Sequence, residues 1–346
     1  MSNGGTLRRP AVPPPIRIRR NINDLPPDHP IVVFYGKAIE KMKAKPVTDP
    51  RSWRYQGAIH DYPFPDDTFD QRRVVPGDPS RDPFAKDGET LPADRSTFWR
   101  QCQHNTWFFL PWHRMYLHHF EKIIMSIILA ELPGGPKDWA LPYWKWDAKD
   151  GDGRLPIAFR NKLLADGTPN HLFVEERNHT PGRDANKGER FASDNQMDKR
   201  FLCLKPSVFM GNGQFGGPPV RRHGGEGPPE TIPPALDGSG VLEGVPHGSM
   251  HVATGGAGWM SNFVQAALDP IFWLHHCNID RLWEVWIQRD PRNKNPDDPA
   301  WLDASFSFHD ATGGNGNLTP RQVLQTRKAP LSYEYDDTTD PLAKAP

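Results

Sequence analysis

Apolar positions in this chain gather in a few stretches separated by long polar ones rich in Pro and Gly. "PIVVFYGKAIEKMKA", from Pro30, predicts a first helix with Pro in its first turn and Asp28 near its cap. Residues 46–96, rich in Pro and Asp, predict loop. The next helix is expected from Pro111 or Trp112 to about Leu132, because His113, Leu117, Phe120, Ile124 and Ile127 then share one face. Residues 150–240 are Gly/Pro/Asn-rich and include "MGNGQFGGPPVRRHGGEGPPE"; they predict loop decoration on one domain, not a hinge. A short helix is expected over "PHGSMHVAT" and a longer one over "DPIFWLHHCNIDRLWEVWIQR" from Pro270, apolar nearly all round. A strand is expected at "LSYEY", and there is no fixed-period repeat. The predicted fold is mainly α: a helical core wrapped in long loops, with a few short peripheral strands. Residues 1–15 form a Pro-rich arm, 16–337 one domain and 338–346 a tail.

The 346 residues include 12 Trp and 18 Phe, so the core should be densely aromatic. Lys+Arg 42 balances Asp+Glu 42 without a long basic run, which argues against nucleic-acid or membrane-surface binding. No window approaches 18 uninterrupted apolar residues, and "MSNGGTLRRPAVPPP" lacks the apolar segment of a secretory signal. The expectation is a soluble protein, with the cytoplasm favoured. Cys102, Cys203 and Cys277 are too few for a disulfide framework, and the sequons at Asn178 and Asn317 are easily met by chance.

The informative residues are among the 14 histidines. "QHNTWFFLPWHRMYLHHFEKII" and "DPIFWLHHCNIDRLWEVW" set histidines among Trp and Phe, a costly choice unless a ring nitrogen has a partner. His104 and His113 are nine apart, the second on an inward helix face. His247 and His251 are one turn apart, a spacing at which two imidazoles reach one metal. Periodicity does not choose between His275 and His276 as the next member. A lone core histidine is more often hydrogen-bonded than metal-bound, but this combination across separate helices points to a metal. An all-imidazole set lacks the carboxylates of Mg or Ca sites and the thiolates of structural zinc, and suits Cu, Zn, Fe or Ni.

"HNTWFFLPWHRMYLHHFE", "PHGSMH" and "DPIFWLHHCNIDRLW" together closely resemble the two copper motifs of the tyrosinase and catechol oxidase family, the type-3 copper proteins. "RRNINDL", "LPYWKWD" at 141–147 and the Tyr-x-Tyr of Tyr333 and Tyr335 fit as well, so the resemblance covers roughly 16–337. It implies a four-helix core around two copper ions, with O2 as co-substrate. By this resemblance the first copper takes His60, His104 and His113. The second takes His247, His251 and His276, the last being seven residues after Asp269. His275, His118 and His119 become packing neighbours, and His29, His171, His179, His223 and His309 default to the surface.

The implied activity is polyphenol oxidation: o-diphenols to o-quinones, O2 to water, with monophenols and o-aminophenols as further substrates. A reversible oxygen carrier of the hemocyanin type is the alternative, and a zinc hydrolase built on His247 and His251 a weaker one. The expected partner is a small phenol, and a copper-delivery protein is a candidate helper. In some family members a cysteine placed like Cys102 forms a thioether to a histidine placed like His104. Asp280, one turn past His276, is expected to orient that ring, against the alternative of an ion pair with Arg281. For monophenols the family is thought to use a water held by a Glu, here Glu243, and an Asn in the position of Gly248. The missing Asn tilts the expectation towards diphenols. A side chain gating the first copper corresponds to Phe263 or Asn262, with core packing as the plain role for Phe263. The chain ends 11 residues after Tyr335, so the shielding C-terminal domain of many relatives is not expected.

Overall fold

The computed structural model describes residues 15–62, 84, 89–146, 153–177, 184–191, 199–219 and 238–343. The expected arm, apart from residue 15, lies outside them, as do Asp147, Asn178, His179, His223 and 344–346. Five helices place the site: α1 (Pro30–Ala44), α2 (Trp53–His60), α3 (Phe109–Glu131), α4 (Ser249–Gly255) and α5 (Pro270–Arg289). α3 packs against both α1 and α5, and α2 packs against α1. Phe120 of α3 lies flat on Trp273 of α5, ring centroids 3.5 Å apart. Such a pair contributes about 1 kcal/mol beyond its buried area. The mainly α core with few strands is as the sequence predicts. Among the described residues no helix is long and apolar enough to cross a membrane.

Local chemistry explains where the elements depart from expectation. His29, not Asp28, caps α1, its Nδ1 accepting from the Ile31 N–H at 3.2 Å, while Asp28 is exposed. The stretch 46–96 is not all loop: Ser52 accepts from the Tyr55 N–H at 3.1 Å and starts α2 inside it. α3 begins at Phe109, two residues before Pro111. A proline in the first turn needs no N–H there, so it does not mark the start. "PHGSMHVAT" is not one helix: a wide turn over Glu243–Gly248, broken at Val245, precedes α4. α5 starts at Pro270 as predicted, with Asp269 accepting from the Ile271 N–H.

Two short strands close the back of the core. β1 (Arg17–Arg19) pairs in parallel with β2 (Tyr333–Tyr335), Arg17 opposite Tyr333 and Arg19 opposite Tyr335. Glu121 of α3 accepts from Arg17 at 2.8 Å and Arg19 at 2.9 Å, all buried. Asp280 of α5 accepts from Arg114 Nε at 2.5 Å and from the hydroxyls of Tyr333 (2.6 Å) and Tyr335 (2.5 Å). Asp280 therefore does not orient His276 by a direct bond, nor does it pair with Arg281, which bonds Asn278 and the Asp337 carbonyl. With Arg19 of β1 also paired to its Oδ2 at 3.5 Å, it is the hub that fastens both strands to α3 and α5.

Candidate metal centre

The helices bring six expected histidines, with Cys102 and His275, into two adjoining groups. In the first, the ligating atoms of His60, Cys102, His104 and His113 all lie within 4.8 Å of one another. His247, His251, His275 and His276 do the same in the second. The groups meet where the His113 and His276 rings stack, centroids 4.3 Å apart and 10° from parallel. His60 closes the C-terminus of α2, His113 sits in the first turns of α3, His251 is on α4 and His276 on α5. His104 lies on the loop before α3, and His247 in the wide turn before α4.

Backbone carbonyls set the orientation of four of these rings. Nδ1–H of His60 donates to Phe263 O (2.9 Å), that of His113 to Phe109 O (2.8 Å), that of His247 to Glu243 O (3.0 Å) and that of His251 to Met260 O (2.7 Å). A ring that donates from Nδ1 keeps its lone pair on Nε2. The Nε2 atoms of His60 and His247 are buried with no hydrogen-bond partner among the described residues. Nε2 of His251 faces Nε2 of His276 at 3.3 Å. Buried ring nitrogens gathered this closely, on rings of a soft-to-borderline donor type, fit a pair of imidazole-bound metals. The two clusters fit a dicopper centre.

Burial keeps these rings neutral. It lowers His60 to about 3 and His251 to about 4, and pushes His104, His113, His247 and His276 well below the ordinary 6.5. Neutral imidazole is the form that binds a metal. An unfolded chain takes up these protons near pH 6.5, and the folded, metal-free protein does not. Stability is therefore present above about pH 6.5 and lost below it, by up to about 1.4 kcal/mol per ring per pH unit. The metal-free protein is expected to unfold between roughly pH 6 and pH 4. Tryptophan fluorescence during acid titration checks this, and a native spectrum kept to about pH 4 contradicts it.

The remaining predicted residues surround the groups. Cys102 Sγ is 3.6 Å from His104 Nε2 and 3.3 Å from His113 Nε2. Glu243 is buried; its Oε1 accepts from the Asn105 N–H at 2.7 Å, and its Oε2 has no partner among the described residues. Its carboxyl and carbonyl thus tie the His104 loop to His247. Burial pushes the Glu243 carboxyl up to about 8. Phe263 is not core: it is 49% exposed, and its ring meets that of His104 edge-on at 5.1 Å. Asn262 is partly buried, its Oδ1 accepting from the Val264 N–H. Gly248 adds only backbone, with helical φ −59° and ψ −38°. His118 and His119 are buried neighbours on α3, the second stacked on Phe308. His309 is not at the surface: 4% exposed, it contacts the Tyr55 hydroxyl at 2.7 Å and packs on Phe98. The sequence carried no signal for this, because its side-chain partners Tyr55 and Phe98 lie more than 200 residues away. His29 and His171 are partly exposed.

A model of the common central domain of tyrosinase matches residues 50–289, and one of the polyphenol oxidase middle domain matches 295–345. A tyrosinase of Hahella sp. (strain CCB-MM4) is 34% identical over 335 residues, 92% of this chain and 63% of that protein. The solved structure of latent apple tyrosinase superposes with a TM-score of 0.68 at 29% identity, over 97% of this chain and 65% of that one. Polyphenol oxidase of Grenache grape (Vitis vinifera) gives 0.64 at 28% identity, over 97% and 93%. The chain thus spans less than two thirds of the Hahella and latent apple proteins.

Proposed function

We propose, on the premise that the chain belongs to the tyrosinase family, that it oxidises o-diphenols to o-quinones at a dicopper centre with O2 as acceptor. The observation that carries this is the pair of adjoining histidine groups whose rings are turned inward by backbone carbonyls. His60, His104 and His113 hold the first copper, and His247, His251 and His276 the second. When bound, the copper pair supplies one-electron steps at each ion and a place for dioxygen.

The chain's own residues do the rest. The buried aromatic wall of Phe109, Trp112 and Phe272 around the rings excludes water. Phe263 presents an exposed apolar face beside His104 for an arriving aromatic ring. A monophenol needs a base that an o-diphenol does not. Gly248 offers no side-chain amide to help Glu243 hold a water, which favours o-diphenols.

Oxygen uptake by copper-loaded protein, given 4-tert-butylcatechol and tyramine separately, tests the reading. Uptake with the catechol and little with tyramine is expected. A Cβ on Gly248 would meet only the Glu243 carbonyl at 3.5 Å, an ordinary contact, so Gly248→Asn fits. It is expected to raise the tyramine rate relative to the catechol rate. Full copper with no uptake from either substrate would instead support an oxygen carrier.

Cys102 is placed to cross-link His104, as its Sγ distance of 3.6 Å allows. Forming the C–S bond removes the thiol hydrogen and one ring hydrogen, with O2 taking the two electrons. Protein loaded with copper in air is expected to be two hydrogens lighter than the copper-free chain by intact mass. Peptide mapping separates His104 from His113, whose Nε2 is nearer at 3.3 Å. An unchanged mass means that Cys102 stays a thiol.

A further inference from the structure

The second histidine group holds four rings where an open metal site needs three. His275 is fully buried, and its ligating atom lies within the same 4.8 Å as those of His247, His251 and His276. Its ring is 5.6 Å from that of His247 and nearly parallel to it, and 4.9 Å from that of His251. Four imidazoles complete a tetrahedral set and close the site, whereas three leave a position for a small molecule. Something must keep the fourth ring from binding.

We propose that Trp146 does this by fixing the tautomer of His275, an inference that rests on the metal-binding reading above. The Trp146 indole Nε1–H lies 3.2 Å from His275 Nδ1. An indole N–H only donates, so Nδ1 is the acceptor and the neutral ring carries its proton on Nε2. That leaves no lone pair for a metal: the one on Nδ1 is taken by the indole, and Nε2 bears hydrogen. The conclusion holds whichever nitrogen points at the ion.

The contrast with the neighbouring rings is direct. Behind His60, His113, His247 and His251 stands a backbone carbonyl, which pulls the proton to Nδ1 and frees Nε2. Behind His275 stands a donor, which does the reverse. Trp146 is not free to turn away, since it is fully buried and its ring stacks on Phe201 with 13° between planes. His275 Nε2 has no hydrogen-bond partner of good geometry among the described residues. Trp146 and His275 are thus positioning residues that keep the second metal open.

The test is long-range 1H–15N NMR of the full chain with ring-labelled histidine, metal-free and loaded with zinc as a diamagnetic probe. His275 is expected to show its proton on Nε2 and no metal-bound nitrogen in either state. Trp146→Phe keeps a ring on Phe201 but removes the donor. In its zinc-loaded form a His275 nitrogen is expected to shift to the metal-bound position. Adding His275→Leu should remove that signal and restore the wild-type pattern for His247, His251 and His276. The proposal is overturned if His275 binds zinc in the wild type, carries its proton on Nδ1, or stays unbound in Trp146→Phe. Should that variant not fold, the wild-type spectra decide alone. If zinc leaves the signals of the second group unchanged, the metal-binding reading fails instead, and the metal-free tautomer still decides the role of Trp146.

Discussion

Replacing His276 by Asn is expected to cut the copper content of loaded protein to about one ion per chain. Catechol oxidation should fall by on the order of a hundredfold or more, since even supporting residues of a metal site cost 10–100-fold. His276 sits at the junction of the two groups, stacked on His113 at 4.3 Å and facing His251 Nε2 at 3.3 Å. Its Nδ1 makes no hydrogen bond among the described residues. Removing the ring therefore deletes a metal ligand and breaks only the contact with His251 Nε2. The cost in stability should be the small cavity left behind, about 1–3 kcal/mol. Copper analysis, the oxygen electrode and the melting temperature of the metal-free variant check the three parts. A variant that kept both coppers and near-normal turnover would remove His276 from the ligand set and point to His275.

Replacing Asp280 by Ala should act on stability, by about 3–5 kcal/mol, the usual cost of removing one partner from a buried ion pair. Arg114, Tyr333 and Tyr335 lose a hydrogen-bond acceptor at once, and Arg19 loses an ion-pair partner at 3.5 Å. Arg114 keeps Glu284 at 2.8 Å and the Val323 carbonyl at 3.0 Å, so its charge is not stranded. The two tyrosine hydroxyls are deeply buried beside Arg19. Tyr333→Phe and Tyr335→Phe should each cost about 1 kcal/mol, which separates loss of a hydroxyl bond from loss of the hub. Denaturant midpoints measure all three variants. An Asp280→Ala loss of less than about 1 kcal/mol would show that the network adds little.

The parts of the site legible in the sequence were those whose chemistry is local. His113 announced itself through apolar neighbours at helical spacing, His247 with His251 through their one-turn separation, and the His275–His276 pair by standing in an aromatic helix. Periodicity was silent on His275 against His276, because α5 is buried on nearly every side. The distinguishing feature is the Trp146 indole, 129 residues away in sequence. His60 was assigned only by resemblance, since its helix is eight residues long inside a Pro-rich stretch. Its one local signal, Ser52 ahead of "WRYQGAIH", is the cap that starts it. Asp280 was misread because its partners, on α3 and β2, sit at distant points of the chain. A helix-turn neighbour is easy to propose from spacing, but the tertiary hydrogen bonds decide.

The pairing of β1 with β2 has a mechanical consequence. The strands run parallel, so tension applied at Arg17 and Tyr335 pulls them past each other along their length. Their ladder and the Glu121 and Asp280 bonds are then loaded in shear, all together, rather than peeled one by one. Stretching the chain from these two points should meet its first resistance at this clasp, before any load reaches the helices that carry the histidines.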